Sequence, residues 1–440
     1  MKKVVFGLLL ATLVLGVQAQ NQIKFEEYDL PNGLHVILHQ DKSTPIVAVT
    51  VLYHVGSKNE DTSRTGFAHF FEHLLFEGTE NIKRGEFDKY VIGAGGTLNA
   101  NTTQDRTFYY EVLPSNELAL GLWLESERML HANILQEGVD TQREVVKEEK
   151  RQRVDNQPYA TFATEMFKRQ FSEHPYRWVP IGSMAHLNAA QLSEFMAIYN
   201  KFYIPNNATL SIAGDIDIAN AKELIDLYFS GIPRGAEVVQ PNVTEPPLTT
   251  QIVDTVFDNI QLPAVFVGYR MPGQDDADAY ALEMVTQVLS GGGSSRLNQR
   301  LVEKDKSAVQ VFAFPYSLED AGIFITLALA NMGNDPEALL QSMDEEVARM
   351  QTELISEEEY QKIQNQVESQ FVQSNSSMVG IAESLADYHV YYGDANLINT
   401  EIERYRKVTR EDIMNVAKKY LNKNSRVILY YLPKSQQTEQ

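Results

Sequence analysis

From Lys24 the chain alternates apolar and polar side chains in FEEYDL, turns at Pro31-Asn32-Gly33, and alternates again in LHVILHQ. That period of two is the mark of half-buried strands. Residues 45–55, PIVAVTVLYHV, form a β-branched run that predicts a central strand. Helical text begins at Thr65, and a glycine-rich break at 93–96 leads into TLNANTTQDRTFYYEVLP, another strand region. Helical spacing then runs over roughly 115–153 and 159–200, followed by a strand over 208–217, ATLSIAGDID. This mixed order lacks the steady alternation of a doubly wound parallel sheet and predicts an α+β fold.

Periodicity breaks down over 232–250, IPRGAEVVQPNVTEPPLTT, where four prolines predict a linker. The segments on either side, 22–231 and 251–435, echo one another. PIVAVTVLYHVGSKNED (45–61) parallels PAVFVGYRMPGQDD (263–276), and each precedes a helix that ends in glycine, LLFEG or QVLSGG. The chain therefore reads as two structurally similar α+β domains, an internal duplication, each a mainly antiparallel sheet packed with helices. With Gly78 set against Gly291, the places of His69, Glu72 and His73 fall to Leu282, Val285 and Thr286. The second copy lacks that polar set, so the fold does not require it.

Composition narrows the setting. Lys2 and Lys3, an apolar run to Val17 and small residues near Ala19 read as a signal peptide over 1–19. The protein is thus expected to be exported, to a periplasm. No later stretch reaches about 18 uninterrupted apolar residues, so no membrane anchor is expected. With no cysteine in 440 residues, disulfides, thiol catalysis and thiolate metal sites are excluded. A net charge of −21 disfavours nucleic acid as a partner.

The chemistry centres on HFFEHLLFEGT (69–79). His69 and His73 are spaced i, i+4, on one face of a helix, and two neutral imidazoles so placed can hold one zinc ion. Glu72 projects near the same face, where a carboxylate can take a proton from water attacking a carbonyl. A catalytic zinc site uses three protein ligands and leaves one position open. A third ligand is available in TQREVVKEEKRQR (141–153). There Glu149 lies i+4 from Val145 and i+3 from Val146 on the inward side, which favours it over Glu148 and Glu144. The other histidines, at 35, 39, 54, 131, 174, 186 and 389, lack partner spacing and read as ordinary residues.

The order HxxEH is that of the inverted zincins. GFAHFFEHLLFEGT, GGTLNANTTQDRTFYYEVLP, QREVVKEE, HPYRWVPIGS, FYIPNNATLSIAGDID and VTREDIMNVAKKYL extend the match from Phe25 to Leu432. The chain resembles the family of pitrilysin, insulin-degrading enzyme and mitochondrial processing peptidase, in its short two-domain bacterial form. The resemblance implies a zinc endopeptidase with one ion per chain, His69, His73 and Glu149 as ligands, and Glu72 as general base. It also implies that Leu98-Asn99-Ala100 offers an edge strand to an extended peptide or unfolded polypeptide. Two departures stand out. Gln142 holds a position that is acidic in the family, and Val302 and Val309 fall where an arginine and a tyrosine hold the substrate. The two valines imply a heterodimer, in which a homologous subunit lacking HxxEH supplies Arg and Tyr. The alternative is a non-catalytic assembly subunit of the same family.

Overall fold

The computed structural model describes residues 22–437, so the expected signal peptide lies outside the described residues. The fold is α+β, built around two sheets. The first contains β1 (Phe25–Asp29), β2 (His35–Gln40), β3 (Ile46–Tyr53), β4 (Thr97–Thr102), β5 (Thr107–Pro114) and β6 (Ala208–Gly214), in the order β1-β2-β6-β3-β5-β4. The second contains β7 (Ile252–Asp258), β8 (Ala264–Pro272), β9 (Ala308–Tyr316), β10 (Ala321–Ala330) and β11 (Arg426–Pro433), in the order β7-β11-β8-β10-β9. Without β1, the two orders superimpose strand for strand. Each has one parallel pair, β2–β6 or β7–β11, and every other pairing is antiparallel. The duplication suggested by the echo of 45–61 in 263–276 is therefore a duplication of topology.

Strand β3 is central, as its β-branched run predicts, and both its faces are covered. Val47, Val49, Val51 and Tyr53 enter one core, while Leu52 turns to the other side and meets Phe108 and Ala386. In β8, Val265, Val267 and Tyr269 face one core and Phe266 the other.

The halves also exchange helices. Helix Phe162–Gln170 arises in the first half, yet Met166 and Phe167 pack on Phe266, Val427 and Leu429 of the second sheet. Helix Met378–Tyr392 arises in the second half, yet Ile381, Ala382 and Leu385 pack on Ile37 and Ala213 of the first sheet. Polar contacts follow the same route. Arg106 pairs with Glu383 and with Asp387 at 2.5 Å, and buried Lys58 reaches Asp105 at 3.1 Å and Glu319 at 2.5 Å. Burial alone would push the Lys58 ammonium down, but Asp105 and Glu319 hold it above its ordinary range.

The helical text over 115–200 is more broken than its spacing predicts. It forms helices over Leu118–His131 and Gln136–Lys150, then Phe162–Gln170, Met184–Ala189 and Leu192–Phe202. Pro158, Pro175 and Pro180 interrupt the later stretch, because proline lacks the N–H and keeps its predecessor out of the helical region.

The exchanged helix sits close to its sheet because residue 268 is glycine. A Cβ there would lie 2.4 Å from Met166 Sδ, while the Gly268 carbonyl accepts from Gln170 Nε2 at 2.6 Å. Gly268→Val is expected to lower stability by about 1–3 kcal/mol through overpacking, read by chemical denaturation.

Candidate metal centre

Helix α1 (Phe67–Leu74) carries the HxxEH residues. It starts from Gly66, whose φ of +95° is a left-handed conformation that glycine adopts without strain. Glu60 then caps the first turn, its carboxylate accepting from Gly66 N at 3.0 Å and Ala68 N at 2.7 Å. Phe67, Phe70, Phe71 and Leu74 point into the first core, where Phe195 stacks on Phe67. That leaves His69 and His73 together on the opposite side, ring centroids 4.9 Å apart and edge to face. Helix α2 (Phe87–Gly93) and helix α3 (Leu118–His131) lead on to α4 (Gln136–Lys150), which packs directly on α1.

Glu149 comes from the last turn of α4. Its Oε2 lies 3.2 Å from His73 Nε2 and 3.6 Å from His69 Nε2. Three donors bound tetrahedrally at zinc distances sit about 3.3 Å from one another. The separations from Glu149 therefore fit one small divalent ion, and two imidazole nitrogens with one carboxylate are a donor set zinc accepts. The other Glu149 oxygen, Oε1, pairs with Arg153 at 2.7 Å, which turns Oε2 toward the imidazoles.

The protonation of His69 suits the same use. Burial, with His73 nearby, pushes His69 down to about 4, so its imidazole is neutral near pH 7 with a lone pair free. Burial lowers His73 too, but Glu149 and Glu72 outweigh it and raise the group overall. The hydrogen bond with His73 lowers Glu149. Glu72 is only 8% exposed, and burial raises its carboxyl against the opposing pull of Thr102, whose hydroxyl donates to Glu72 Oε2 at 2.5 Å.

Each residue singled out from the sequence can now be placed. His69, His73 and Glu149 come together, with Glu72 beside them. Glu148 faces away and pairs with Arg151 at 3.1 Å, and Glu144 pairs with Lys147 at 2.8 Å. Of the two valines taken to mark the inward side of α4, Val146 is fully buried but Val145 is 45% exposed, so Val146 alone defines that side. Leu98, Asn99 and Ala100 lie on β4, which is the sheet edge and packs on α1. The Ala100 amide donates to the Asn99 side chain at 2.9 Å. Val302 packs against the second core, and Val309 is 43% exposed.

Three histidines are less ordinary than spacing suggests. His54 pairs with Glu319 at 2.7 Å across the halves, and His35 stacks on His389 with centroids 3.4 Å apart. Sequence reading missed Thr102 and Arg153 as well. Strand alternation puts Thr102 on the same side as Ala100, but nothing in the local text says that side meets α1.

The HxxEH helix, a glutamate from a second helix and two sheets of one plan are the arrangement that an inverted-zincin fold would present to a metal. Residues 35–177, which include His69, Glu72, His73 and Glu149, match the family model described as Insulinase (Peptidase family M16), and residues 189–367 match that for the Peptidase M16 inactive domain. Zinc protease PqqE of Helicobacter pylori is 30% identical over 434 residues, 97% of each chain. An uncharacterised zinc protease of Mycobacterium leprae is 27% identical, covering 90% of this chain and 88% of its own. A solved structure of a protease from Helicobacter pylori aligns with a TM-score of 0.88 at 30% identity, over 93% of this chain and all of that one. The chain belongs to peptidase family M16.

If the three donors act as a set, removing any one empties the site. His69→Ala, His73→Ala and Glu149→Gln are each expected to drop bound zinc well below one per chain after dialysis, while Glu148→Gln leaves it unchanged. Metal analysis by mass spectrometry reads the difference.

Proposed function

We propose that the chain is a zinc-dependent endopeptidase that hydrolyses peptides or unfolded polypeptide segments. The observation that carries this reading is the convergence of two imidazoles and one carboxylate from two helices, with buried Glu72 alongside. His69, His73 and Glu149 would hold the ion. Zinc there supplies Lewis-acid polarisation of water and of the peptide carbonyl. Glu72, kept in place by Thr102, takes the proton of the attacking water and returns it to the leaving amine. On this reading the substrate adds to the free edge of β4 at Leu98, Asn99 and Ala100. Main-chain hydrogen bonds then supply affinity without reading much side-chain sequence.

The same reading takes 22–231 as the peptidase domain, 232–250 as a linker and 251–435 as the second domain, with export to a periplasm after removal of 1–19. Among the described residues no helix is long and apolar enough to cross a membrane. Val302 and Val309 cannot donate a hydrogen bond to a developing oxyanion. Loss of such a donor typically costs about 10² to 10³ in rate. The chain is accordingly the metal-bearing subunit of a heterodimer, and a subunit of similar fold supplies the arginine and tyrosine.

Glu72→Gln is expected to keep zinc and lose about 10² to 10⁴ in peptide cleavage, the usual worth of a general base. Cleavage undiminished in that variant would contradict the proposal. Mixing the chain with a co-encoded relative that lacks HxxEH is expected to raise cleavage by about 10² to 10³. Full activity of the isolated chain would rule out the subunit arrangement.

A further inference from the structure

Two turns of α4 before Glu149 lies a polar contact that the peptidase reading leaves unused. Gln142 stands seven residues before Glu149, two helical turns away on the same face. Its Nε2 donates to Glu77 Oε1 at 2.5 Å. Its Oε1 is buried and finds no hydrogen-bond partner among the described residues, on the face of α4 that carries Glu149 and packs on α1. Which way this amide faces is settled by chemistry. An ionised carboxylate only accepts, so the NH₂ end must meet Glu77 and the carbonyl end is left to accept from another donor.

Glu77 is itself built in. It follows α1 closely, its side chain is 8% exposed, and its second oxygen binds Arg84. The room it occupies exists because residue 138 is glycine: a Cβ there would lie 3.3 Å from Glu77 Cγ. Arg84 in turn pairs with Glu137 at 3.0 Å, so the carboxylate is held from two sides. Imidazoles that bind metal usually give their second ring N–H to a carboxylate or carbonyl, which fixes ring and tautomer and strengthens the donor.

We propose that Glu77 is a positioning residue that acts on His73 through the Gln142 amide. Gln142 presents a carbonyl to His73 Nδ1–H, and Glu77 orients and polarises that amide from behind. The negative charge that Gln142 lacks is thereby supplied one residue further out. This rests on His73 being a zinc ligand, as the peptidase reading holds.

The test is the zinc dissociation constant, measured by chelator competition on the full chain. Glu77→Ala and Gln142→Leu are each expected to weaken binding by about 10- to 100-fold. The double variant is expected to be no worse than either single one, because both break the same link. Gln142→Glu in the Glu77→Ala background places a carboxylate directly beside His73 and is expected to recover the affinity. A purely structural role for Glu77 would give no such recovery. Circular-dichroism melting of the metal-free proteins separates lost fold from lost affinity, and Gln142→Leu tests the link even if Glu77→Ala does not fold. Additive penalties, or unchanged affinity in Glu77→Ala, overturn the proposal while zinc at one per chain leaves the peptidase reading intact. No zinc in the unmodified chain overturns both.

Discussion

The packing of α4 on α1 is the contact on which this molecule's chemistry depends. Neither helix holds a complete ligand set, so the donors exist as a set only while the two stay in register. Val146 secures the apolar side of that contact. Arg143 ties α4 to a different neighbour, the helix Met184–Ala189, giving hydrogen bonds to the Leu187 and Ala190 carbonyls at 3.2 and 2.7 Å. A shift of about 1 Å in either helix far exceeds the tolerance of a zinc site, whose bond lengths vary by about 0.2 Å.

Beneath α1 lies a second constraint. Arg128 is fully buried, grips Glu125 at 3.0 Å and donates to the Leu75 carbonyl at 3.0 Å, just past the end of α1. Phe76, Phe87 and Tyr109 surround its guanidinium. Burial and neighbouring Glu125 push Glu111 far above the usual carboxylate range. A buried pair of this kind contributes little net stability against an apolar substitute, but it fixes geometry, because breaking it leaves an uncompensated charge. Here the geometry it fixes is the end of the helix that carries His73.

Duplication and helix exchange give the second half, which lacks the histidine pair, a structural part. Its sheet repeats the first in strand order and sense, with Leu282, Val285 and Thr286 buried where the polar set would stand. Helix Met378–Tyr392 covers one face of the first sheet, and Arg106, in the turn between β4 and β5, is paired with that helix. The half without the histidine pair is thus part of the support for the half that carries it.

Much of this could be read from the residues. The i, i+4 spacing of His69 and His73 placed them on one face, and helical geometry with the family resemblance pointed to Glu149. The repeat of PIVAVTV in PAVFVGY showed the duplication. What could not be read was long-range. Helix exchange depends on which faces meet across more than a hundred residues, and neither Met166 nor Ile381 differs locally from an ordinary core residue. Thr102 reaches Glu72, and His54 reaches Glu319, through tertiary contact alone. Crystals of the zinc-soaked chain, with anomalous difference density collected at the zinc edge, examine the central claim most directly. A single strong peak about 2.0–2.2 Å from His69 Nε2, His73 Nε2 and a Glu149 oxygen is predicted. A peak elsewhere, or one that leaves Glu149 uncoordinated, would contradict it.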